Sequence, residues 1–237
     1  MPSVSINIPC LNRSQMLREC VESFINQTFE DFEVIVVDDG SVEDISFVKD
    51  IDPRVKYIYQ EHKGISAALN LAMDNSNGLF IMPFGSDDIA MPDLLKETVE
   101  VMERYKNKFD VVYTNFWIKK NDKLQRKLVT KTLSPENAYN EMLRKQYIPH
   151  SGTLWKKEKI PRYDETLESA VDWELFLSAM EKGVRFKHRK KKLWISRIGH
   201  EREFGTQRQI DCCNRVLRKR GYYFDIETRK GVKICNS

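Results

Sequence analysis

Short apolar runs alternate with amphipathic stretches along the first half of the chain. Residues 32–37 and 79–84 lack polar alternation, which is typical of strands buried on both faces of a sheet. Predicted strands cover residues 4–9, 32–37, 55–59, 79–84 and 111–117. Between them, apolar residues recur at helical spacing, which predicts helices after Ser14, over 66–73 and from Pro92 through Met102.

Strands that alternate with helices predict an α/β fold with a mostly parallel central sheet flanked by helices. Ligands bind to such sheets beyond the carboxyl ends of the strands. Three predicted strands end in polar clusters, at residues 9–12, 38–41 and 86–88. We therefore expect these three clusters to open onto one crevice.

The alternation weakens after about residue 122. Helices are predicted at 135–143, 172–180 and 207–220, and strands at 152–155 and 193–198. No repeat, low-complexity segment or linker interrupts the chain. We expect a single domain over 1–237, with a first half (1–120) that carries the three polar clusters and a second half (121–237) that ends in a helix.

Composition indicates an ordinary globular protein and excludes several classes. The chain has 237 residues, of which 41% are hydrophobic, and its net charge of +4 is too small to argue for nucleic-acid binding. Its five cysteines include no CxxC pair, so neither a disulfide framework nor a zinc knuckle is expected. The N-terminus lacks a signal-peptide pattern, and no apolar run approaches the roughly 20 residues of a membrane span. These features predict a cytoplasmic protein.

The run 187–192 is strongly basic and admits two interpretations. The first is a solvated strand edge whose charge prevents pairing with another strand. The second is a contact surface for acidic lipid headgroups or an anionic acceptor. The first interpretation is favoured, and the second leaves peripheral contact with the inner face of a membrane open.

Candidate chemistry begins with two adjacent carboxylates at a strand end. Glycine-rich phosphate loops of the GxGxxG and GxxxxGK types are absent. Asp87 and Asp88 instead offer hard oxygen ligands suited to Mg²⁺ or Mn²⁺, ions that also take substrate phosphate oxygens. The alternative is that both acids are solvated or stabilise the start of the helix at Pro92.

Several spaced motifs resemble those of the family 2 glycosyltransferases, which have the GT-A fold. The matching segments read VSINIP with LNR, SFINQTF, VVDDGS, GISAALN, NG and SDD with MPD, between residues 4 and 93. The similarity is dense over the first half and thinner to about residue 200. It implies a Rossmann-like GT-A domain that transfers a sugar from a nucleotide-sugar, commonly a UDP-sugar, to a hydroxyl acceptor, with inversion and with a divalent metal.

The resemblance also implies roles for individual residues. Pro9 and Asn12 would lie against the nucleotide. Asp39 would hydrogen-bond the base, Asp87 would meet the ribose, and Asp88 would bind the Mn²⁺ or Mg²⁺ that bridges to the diphosphate. Two positions depart from the common pattern: Gly85 stands where many members have an aspartate, and Leu69 where many have an arginine.

A second signature of the family reads VDWEL here, at 171–175. The resemblance implies that Asp172 is the general base, although Val171 replaces a second acid. A carboxylate at a helix N-terminus is held by free backbone N–H groups and by the helix dipole, which keep it ionised. The alternative is a helix-capping aspartate without chemistry. Trp173, beside the base, is expected to stack on an acceptor sugar.

Two histidines are weaker candidates. The segment around His150 resembles the acceptor side of the family, so this side chain is expected to contact the donor phosphates or the acceptor. His200 follows a basic strand, where some members have a histidine that touches the metal or the diphosphate. For both, a structural role is the alternative.

The sequence thus predicts a glycosyltransferase acting on a nucleotide-sugar donor and a glycan or lipid-linked acceptor, in glycan or cell-surface polysaccharide synthesis. A catalytically degenerate GT-A domain that only binds nucleotide or glycan is the alternative, favoured by Gly85 and Val171. A nucleic-acid binder using the basic run is a third interpretation, which the absence of a recognisable module with interleaved aromatics argues against.

Overall fold

The first four strands form a parallel layer, as predicted. The structure, a computed structural model, describes residues 2–121, 123–125, 130–134, 136–198 and 206–234. Strands β1 (Val4–Cys10), β2 (Phe32–Asp38), β3 (Val55–Tyr59) and β4 (Phe80–Pro83) lie in the order β3-β2-β1-β4, and each neighbouring pair is parallel. Their carboxyl ends therefore meet at one edge of the sheet.

Helices cover both faces of this layer, because its strands carry apolar side chains on both faces of the sheet. Helices α1 (Ser14–Ile25) and α3 (Leu94–Arg104) pack on the face that carries Val34 and Val36 of β2. Helix α2 (Ile65–Asp74) packs on the opposite face, where Ala68 and Ala72 meet Ile35 and Val37. A short 3₁₀ helix, Ser46–Asp50, lies between β2 and β3.

The rest of the sheet is mixed, but parallel pairing predominates over the sheet as a whole, as predicted. It contains β5 (Asp88–Ala90), β6 (Val111–Lys120), β7 (Lys123–Gln125), β8 (Thr153–Lys156) and β9 (Phe186–Ile198). Among the described residues, the order continues from β4 as β8-β6-β9-β5, with β7 also on β6. Strand β8 is antiparallel to β4 and β6, and β5 is antiparallel to β9. The parallel prediction rested on strand–helix alternation, and that alternation stops after α3.

Strand β9 is longer than its predicted segment 193–198 because the basic run belongs to it. Arg189 and Lys191 both bond to Glu97 of α3. Lys192 lies over the ring of Trp117, with its Nζ 3.7 Å from the ring centroid. These contacts hold the cationic side chains along the strand, which supports the interpretation of the run as a solvated strand edge.

The second half adds three helices and a hairpin around a second core. Helices α4 (Ala138–Arg144), α5 (Val171–Glu181) and α6 (Gln207–Arg218) agree with the predictions to within a few residues at each end. A 3₁₀ helix, Lys157–Lys159, follows β8, and the hairpin of β10 (Tyr222–Asp225) and β11 (Lys230–Lys233) was not predicted. Trp155 and Phe176 stack within this core. No helix among the described residues has the length and apolar character needed to cross a bilayer.

Candidate functional site

Two of the strand-end loops are joined by hydrogen bonds at the edge where β1 and β2 finish. The backbone N–H of Asn12 donates to Ser41 Oγ at 3.0 Å, and Asn12 Oδ1 accepts from the backbone N–H of Val42 at 2.7 Å. Asn12 has φ +52°, a left-handed conformation that asparagine tolerates better than most residues. The loop after Pro9 and the loop after β2 therefore form one rigid rim.

Asp39 lies beneath this rim and organises the loop before α2. Its Oδ1 accepts from Gln60 Nε2 at 2.6 Å and from the backbone N–H of Lys63 at 2.9 Å, and its Oδ2 accepts from the backbone N–H of Gly64 at 3.0 Å. His62 Nδ1 lies 2.9 Å from the same Oδ2. An ionised carboxylate has about four acceptor sites. A nucleobase at Asp39 would have to replace one of these partners, such as His62, whose side chain is 63% exposed.

The third loop, between β4 and β5, holds the two carboxylates predicted to serve the metal. Asp88 is 4% exposed, and its Oδ2 accepts from Ser151 Oγ at 2.6 Å. Ser151 Oγ also accepts from the backbone N–H of Gly85 at 3.0 Å. Arg13, in the first loop, reaches Asp87 with a separation of 3.5 Å between Nη1 and Oδ2. All three predicted loops therefore converge.

Arg197 fixes the same turn from β9 and was not singled out by the sequence. Its guanidinium donates to the backbone carbonyl of Asp87, to Glu19 and to the carbonyl of Met16. The residue is 7% exposed. A lone arginine in the otherwise apolar end of a strand was the signal that could have identified it, because buried arginines require several acceptors.

The donor set at this turn fits a hard divalent cation. Asp88 and Asp87 offer carboxylate oxygens, and no group of three or more His, Cys, Asp or Glu side chains with metal-binding geometry occurs in the part of the chain that the structure describes. Mg²⁺ typically takes one or two carboxylates, keeps several waters and adds phosphate oxygens of the substrate. The absence of a side chain at Gly85 preserves this space, because a Cβ there would lie 2.7 Å from Asp87 Oδ1.

A single cavity of about 740 Å³ brings this turn together with the predicted base. Among the predicted site residues, its wall includes Asp87, Asp88, His150, Asp172 and Trp173. Pro9, Asn12 and Asp39 do not line it; they belong to the adjacent rim. His200 lies outside the described residues.

Asp172 occupies the first turn of α5, where backbone N–H groups lack helical partners. The helix begins abruptly because Ala170, just before it, has φ +56°. Asp172 Oδ1 accepts from the backbone N–H of Trp173 at 2.9 Å, and Oδ2 accepts from Gln146 Nε2. The carboxylate is half-buried and faces the cavity. Both oxygens of the predicted base are thus hydrogen-bonded at the cavity wall.

His150 pairs with a tyrosine behind the same wall. Its Nε2 lies 2.8 Å from Tyr163 Oη, and the two rings meet edge to face. Burial lowers the pKa of His150, and the negative charge of Asp172 only partly opposes this effect. Burial likewise raises the pKa of Tyr163, and Asp172 adds to the rise. Burial thus disfavours the charged form of both groups.

The structure does not support the expectation that Trp173 offers an open stacking surface. The residue is 4% exposed, and its Nε1 donates to the carbonyl of Met142 at 2.7 Å. Its ring meets Phe224 edge to face within the second core. Apolar residues of the second core cover the indole, so Trp173 is buried where the sequence predicted an open stacking surface. Phe116 is the half-buried aromatic residue of the cavity wall, and its ring stacks on the buried Trp194 with the ring centroids 4.4 Å apart.

Gly152 lets the Trp194 indole approach the backbone. Gly152 has φ +73°, and a Cβ added to it would lie 2.4 Å from Trp194 Nε1. A Gly152→Ala substitution must therefore adopt left-handed backbone, at a cost of about 1–2 kcal/mol, and must also displace the indole. We expect the free energy of unfolding to fall by about 2–5 kcal/mol, the sum of both effects. Denaturant unfolding measures it.

Gly183→Ala is the matched control. Gly183 has nearly the same φ, +75°, with no atom within 4 Å of an added Cβ. It should therefore show the backbone cost alone. Equal losses of stability in the two variants would contradict the proposed contact between Gly152 and Trp194.

The chain is similar to known proteins in both sequence and structure. The family model described as Glycosyl transferase family 2 matches residues 5–163. A chondroitin synthase of Escherichia coli is 31% identical over 193 residues, which cover 79% of this chain and 28% of that protein. A hyaluronan synthase of Pasteurella multocida is 30% identical over 207 residues, or 84% of this chain and 21% of that protein. The chain thus spans less than a third of either relative.

Solved structures with the same fold include S. aureus TarS 1-349 in complex with UDP-GlcNAc. That structure superposes with a TM-score of 0.69 at 20% identity and covers 85% of this chain and 60% of the other. The mannosyltransferase PcManGT from Pyrobaculum calidifontis, in complex with GDP-Man and Mn²⁺, has a TM-score of 0.69 at 16% identity and covers 92% of this chain and 64% of the other. At these identities the similarity establishes the GT-A fold.

Proposed function

The chain belongs to glycosyl transferase family 2, and from that premise we propose that it transfers a sugar from a UDP-sugar to a hydroxyl of a glycan or lipid-linked acceptor, with inversion. The observation that carries this proposal is the shared cavity, which has the Asp87–Asp88 pair and Asp172 in one wall. The UDP-GlcNAc complex of a protein with the same fold supports the choice of UDP. The synthase relatives support a role in polysaccharide synthesis.

The donor half, residues 1–120, would bind the nucleotide at the rim. Pro9 and Asn12 would contact the nucleoside, Asp87 would lie at the ribose, and Asp39 would bind the base after exchanging one of its internal partners. Asp88 would hold Mn²⁺ or Mg²⁺ with the diphosphate oxygens as further ligands. A divalent ion bound there supplies positive charge that stabilises the departing diphosphate.

Asp172 would act as the general base in a single displacement. It accepts the proton of the acceptor hydroxyl while that oxygen forms a bond to the anomeric carbon. The bond between this carbon and the diphosphate oxygen breaks on the opposite face, and its electron pair leaves with the nucleoside diphosphate. The configuration at the carbon is therefore inverted. His150 would offer hydrogen bonding to the acceptor or the donor.

The second half, residues 121–237, would bind the acceptor. Its share of the cavity combines apolar walls, such as Trp194 and Ile198, with polar groups such as Gln209 and Thr228. This mixture suits the alternating apolar faces and hydroxyl edges of a sugar chain. The alternative of a non-catalytic binding domain draws support from the saturated carboxylate of Asp39 and from Gly85, and turnover distinguishes it from an enzyme.

Calorimetric titration with UDP, with and without Mn²⁺, tests the donor site. We expect Mn²⁺ to strengthen UDP binding to the wild-type protein. Asp88→Ala should weaken the Mn²⁺-dependent binding by at least about tenfold, since even the groups that support metal ligands contribute about 10–100-fold to metal affinity. Asp74→Ala is the matched control, because Asp74 pairs with Arg162 on the surface and is 55% exposed.

Three outcomes would contradict separate parts of this proposal. Mn²⁺-dependent binding that Asp88→Ala leaves unchanged would contradict the assignment of Asp88. Binding of GDP in preference to UDP would overturn the choice of nucleotide alone. Binding without any release of UDP from a panel of UDP-sugars would favour the non-catalytic alternative.

A further inference from the structure

Gln146 contacts the Asp172 carboxylate from the loop that follows α4. Its Nε2 donates to Asp172 Oδ2, while the backbone N–H of Trp173 donates to Oδ1. An ionised carboxylate oxygen has two acceptor sites, so each oxygen retains one after these bonds. We propose that Gln146 is a positioning residue that fixes the rotation of the Asp172 carboxylate, so that a remaining lone pair faces the acceptor hydroxyl. This rests on the proposed role of Asp172 as base.

The backbone on both sides of Gln146 is anchored to α4. The N–H of Lys145 donates to the carbonyl of Glu141 at 2.9 Å, and the N–H of Tyr147 lies 3.3 Å from Met142 Sδ. The side chain is held as well, because Nε2 also lies 3.3 Å from the carbonyl of Ile148. Gln146 therefore has little freedom to follow a rotating carboxylate.

The same helix holds the residue next to Asp172. Trp173 Nε1 donates to the carbonyl of Met142 at 2.7 Å. Met142 thus bonds to the residue that follows Gln146 and to the residue that follows Asp172. The donor and the acceptor of the Gln146–Asp172 hydrogen bond are consequently fixed to one rigid element, as precise positioning of a reacting group requires.

The chemistry of an amide suits this task better than that of a cation. With its Nε2 facing both Asp172 and the carbonyl of Ile148, Gln146 is oriented as a donor, since the reversed amide would point its oxygen at two other oxygens. An amide orients a carboxylate without adding the positive charge that would reduce its basicity. The other titratable or charged groups around this part of the cavity are His150, Tyr163, Cys213, Lys145, Arg229, Asp87 and Asp88.

The test measures UDP release from the most active UDP-sugar as a function of pH, for wild type, Gln146→Ala and Gln146→Glu. We expect Gln146→Ala to lower kcat by about 10–100-fold, since small misplacement of a reacting group costs about 100-fold, with UDP affinity within about twofold of wild type. In Gln146→Glu, a second carboxyl group beside Asp172 opposes its ionisation. The acidic limb of the kcat/KM profile should therefore move upward by about one pH unit or more.

Gln207→Ala is the matched control. It removes a hydrogen bond of the same kind, from Gln207 Nε2 to Asp211 Oδ1 at 2.9 Å, on the exposed start of α6. Wild-type kcat in Gln146→Ala, or an unmoved acidic limb in Gln146→Glu, would overturn the inference. The nearly isosteric Glu variant keeps the pH test available if the Ala variant fails to fold.

The activity of Asp172→Asn distinguishes a failure of the inference about Gln146 from a failure of the proposed function. If Asp172→Asn is inactive while both Gln146 variants behave as wild type, the inference about Gln146 fails and the proposed function stands. If Asp172→Asn retains its activity, the assignment of the base fails first, whatever the Gln146 variants do.

Discussion

Asp172→Asn is expected to lower kcat for sugar transfer by about 10²–10⁴-fold, the contribution that a general base commonly makes. Asparagine has nearly the same shape but cannot accept the proton of the acceptor hydroxyl. It can still accept one hydrogen bond, from Gln146 or from the N–H of Trp173. The wall of the cavity should therefore keep its form, and UDP binding with Mn²⁺ should stay within about twofold of wild type, because Asp172 is not part of the proposed donor site.

Steady-state release of UDP at saturating donor measures this effect. Asp211→Asn provides the control, since Asp211 is an exposed aspartate near the start of α6 with a similar hydrogen bond from a glutamine. An Asp172→Asn variant with more than half of the wild-type kcat would refute the role of the base. Equal losses of kcat and of UDP affinity would instead indicate that Asp172 supports the donor site.

Arg220→Ala is expected to destabilise the protein by about 3–5 kcal/mol, the usual cost of leaving a buried charge without its partner. Arg220 donates to both oxygens of Glu174 in α5, at 2.7 and 3.1 Å, and to Glu181 Oε1 at 2.7 Å. The side chains of Arg220 and Glu174 are only 5% and 8% exposed. Glu174 would keep Lys219 and Ser178 as partners, which sets the lower part of the range.

The effect of Arg220→Ala should also depend on pH. Burial opposes ionisation of Glu174, but hydrogen bonds from Arg220, Lys219 and Ser178 outweigh it and hold its pKa below the ordinary value of 4.5. A depressed pKa in the folded state adds stability above the unfolded pKa, and this stability is lost as the pH falls through the folded value. The difference in unfolding free energy between wild type and variant should therefore be complete above about pH 4.5 and shrink below it.

Denaturant unfolding at several pH values measures both expectations. Arg162→Ala is the control, because its pair with Asp74 is exposed at both ends and such pairs contribute about 0–1 kcal/mol. A loss below about 1 kcal/mol in Arg220→Ala would show that the second core holds α5 without this network.

The sequence predicted the first half of the fold closely, because its information there is local. Each apolar run is long enough to fill one strand, and strands β1 to β4 pair with one another in parallel. Asp87, Asp88 and Asp172 were likewise recognisable from motifs, and they share one cavity. Their roles in binding and catalysis stay predictions until the variants are measured.

The parts that could not be predicted depend on pairing between distant segments. Strand β8 enters the sheet antiparallel between β4 and β6, and nothing in its four residues specifies that place. Gln146 and Arg197 act through side-chain bonds to Asp172 and to the backbone of Asp87, which arise only once the loops have met. The burial of Trp173 was missed for the same reason, because the residues that cover it come from α4 and from the C-terminal hairpin.

The pairing of β5 with β9 also determines when the site can form during synthesis. Asp88 is paired with Ser196, so its partner strand leaves the ribosome roughly 100 residues later, or some 5–20 s at about 5–20 residues per second. Ser151, which bonds Asp88, also emerges well after it. The first half of the nascent chain therefore carries its carboxylate turn at an open sheet edge for seconds. Strand β9 completes the site, so a chain whose synthesis stops before β9 does not form the complete site.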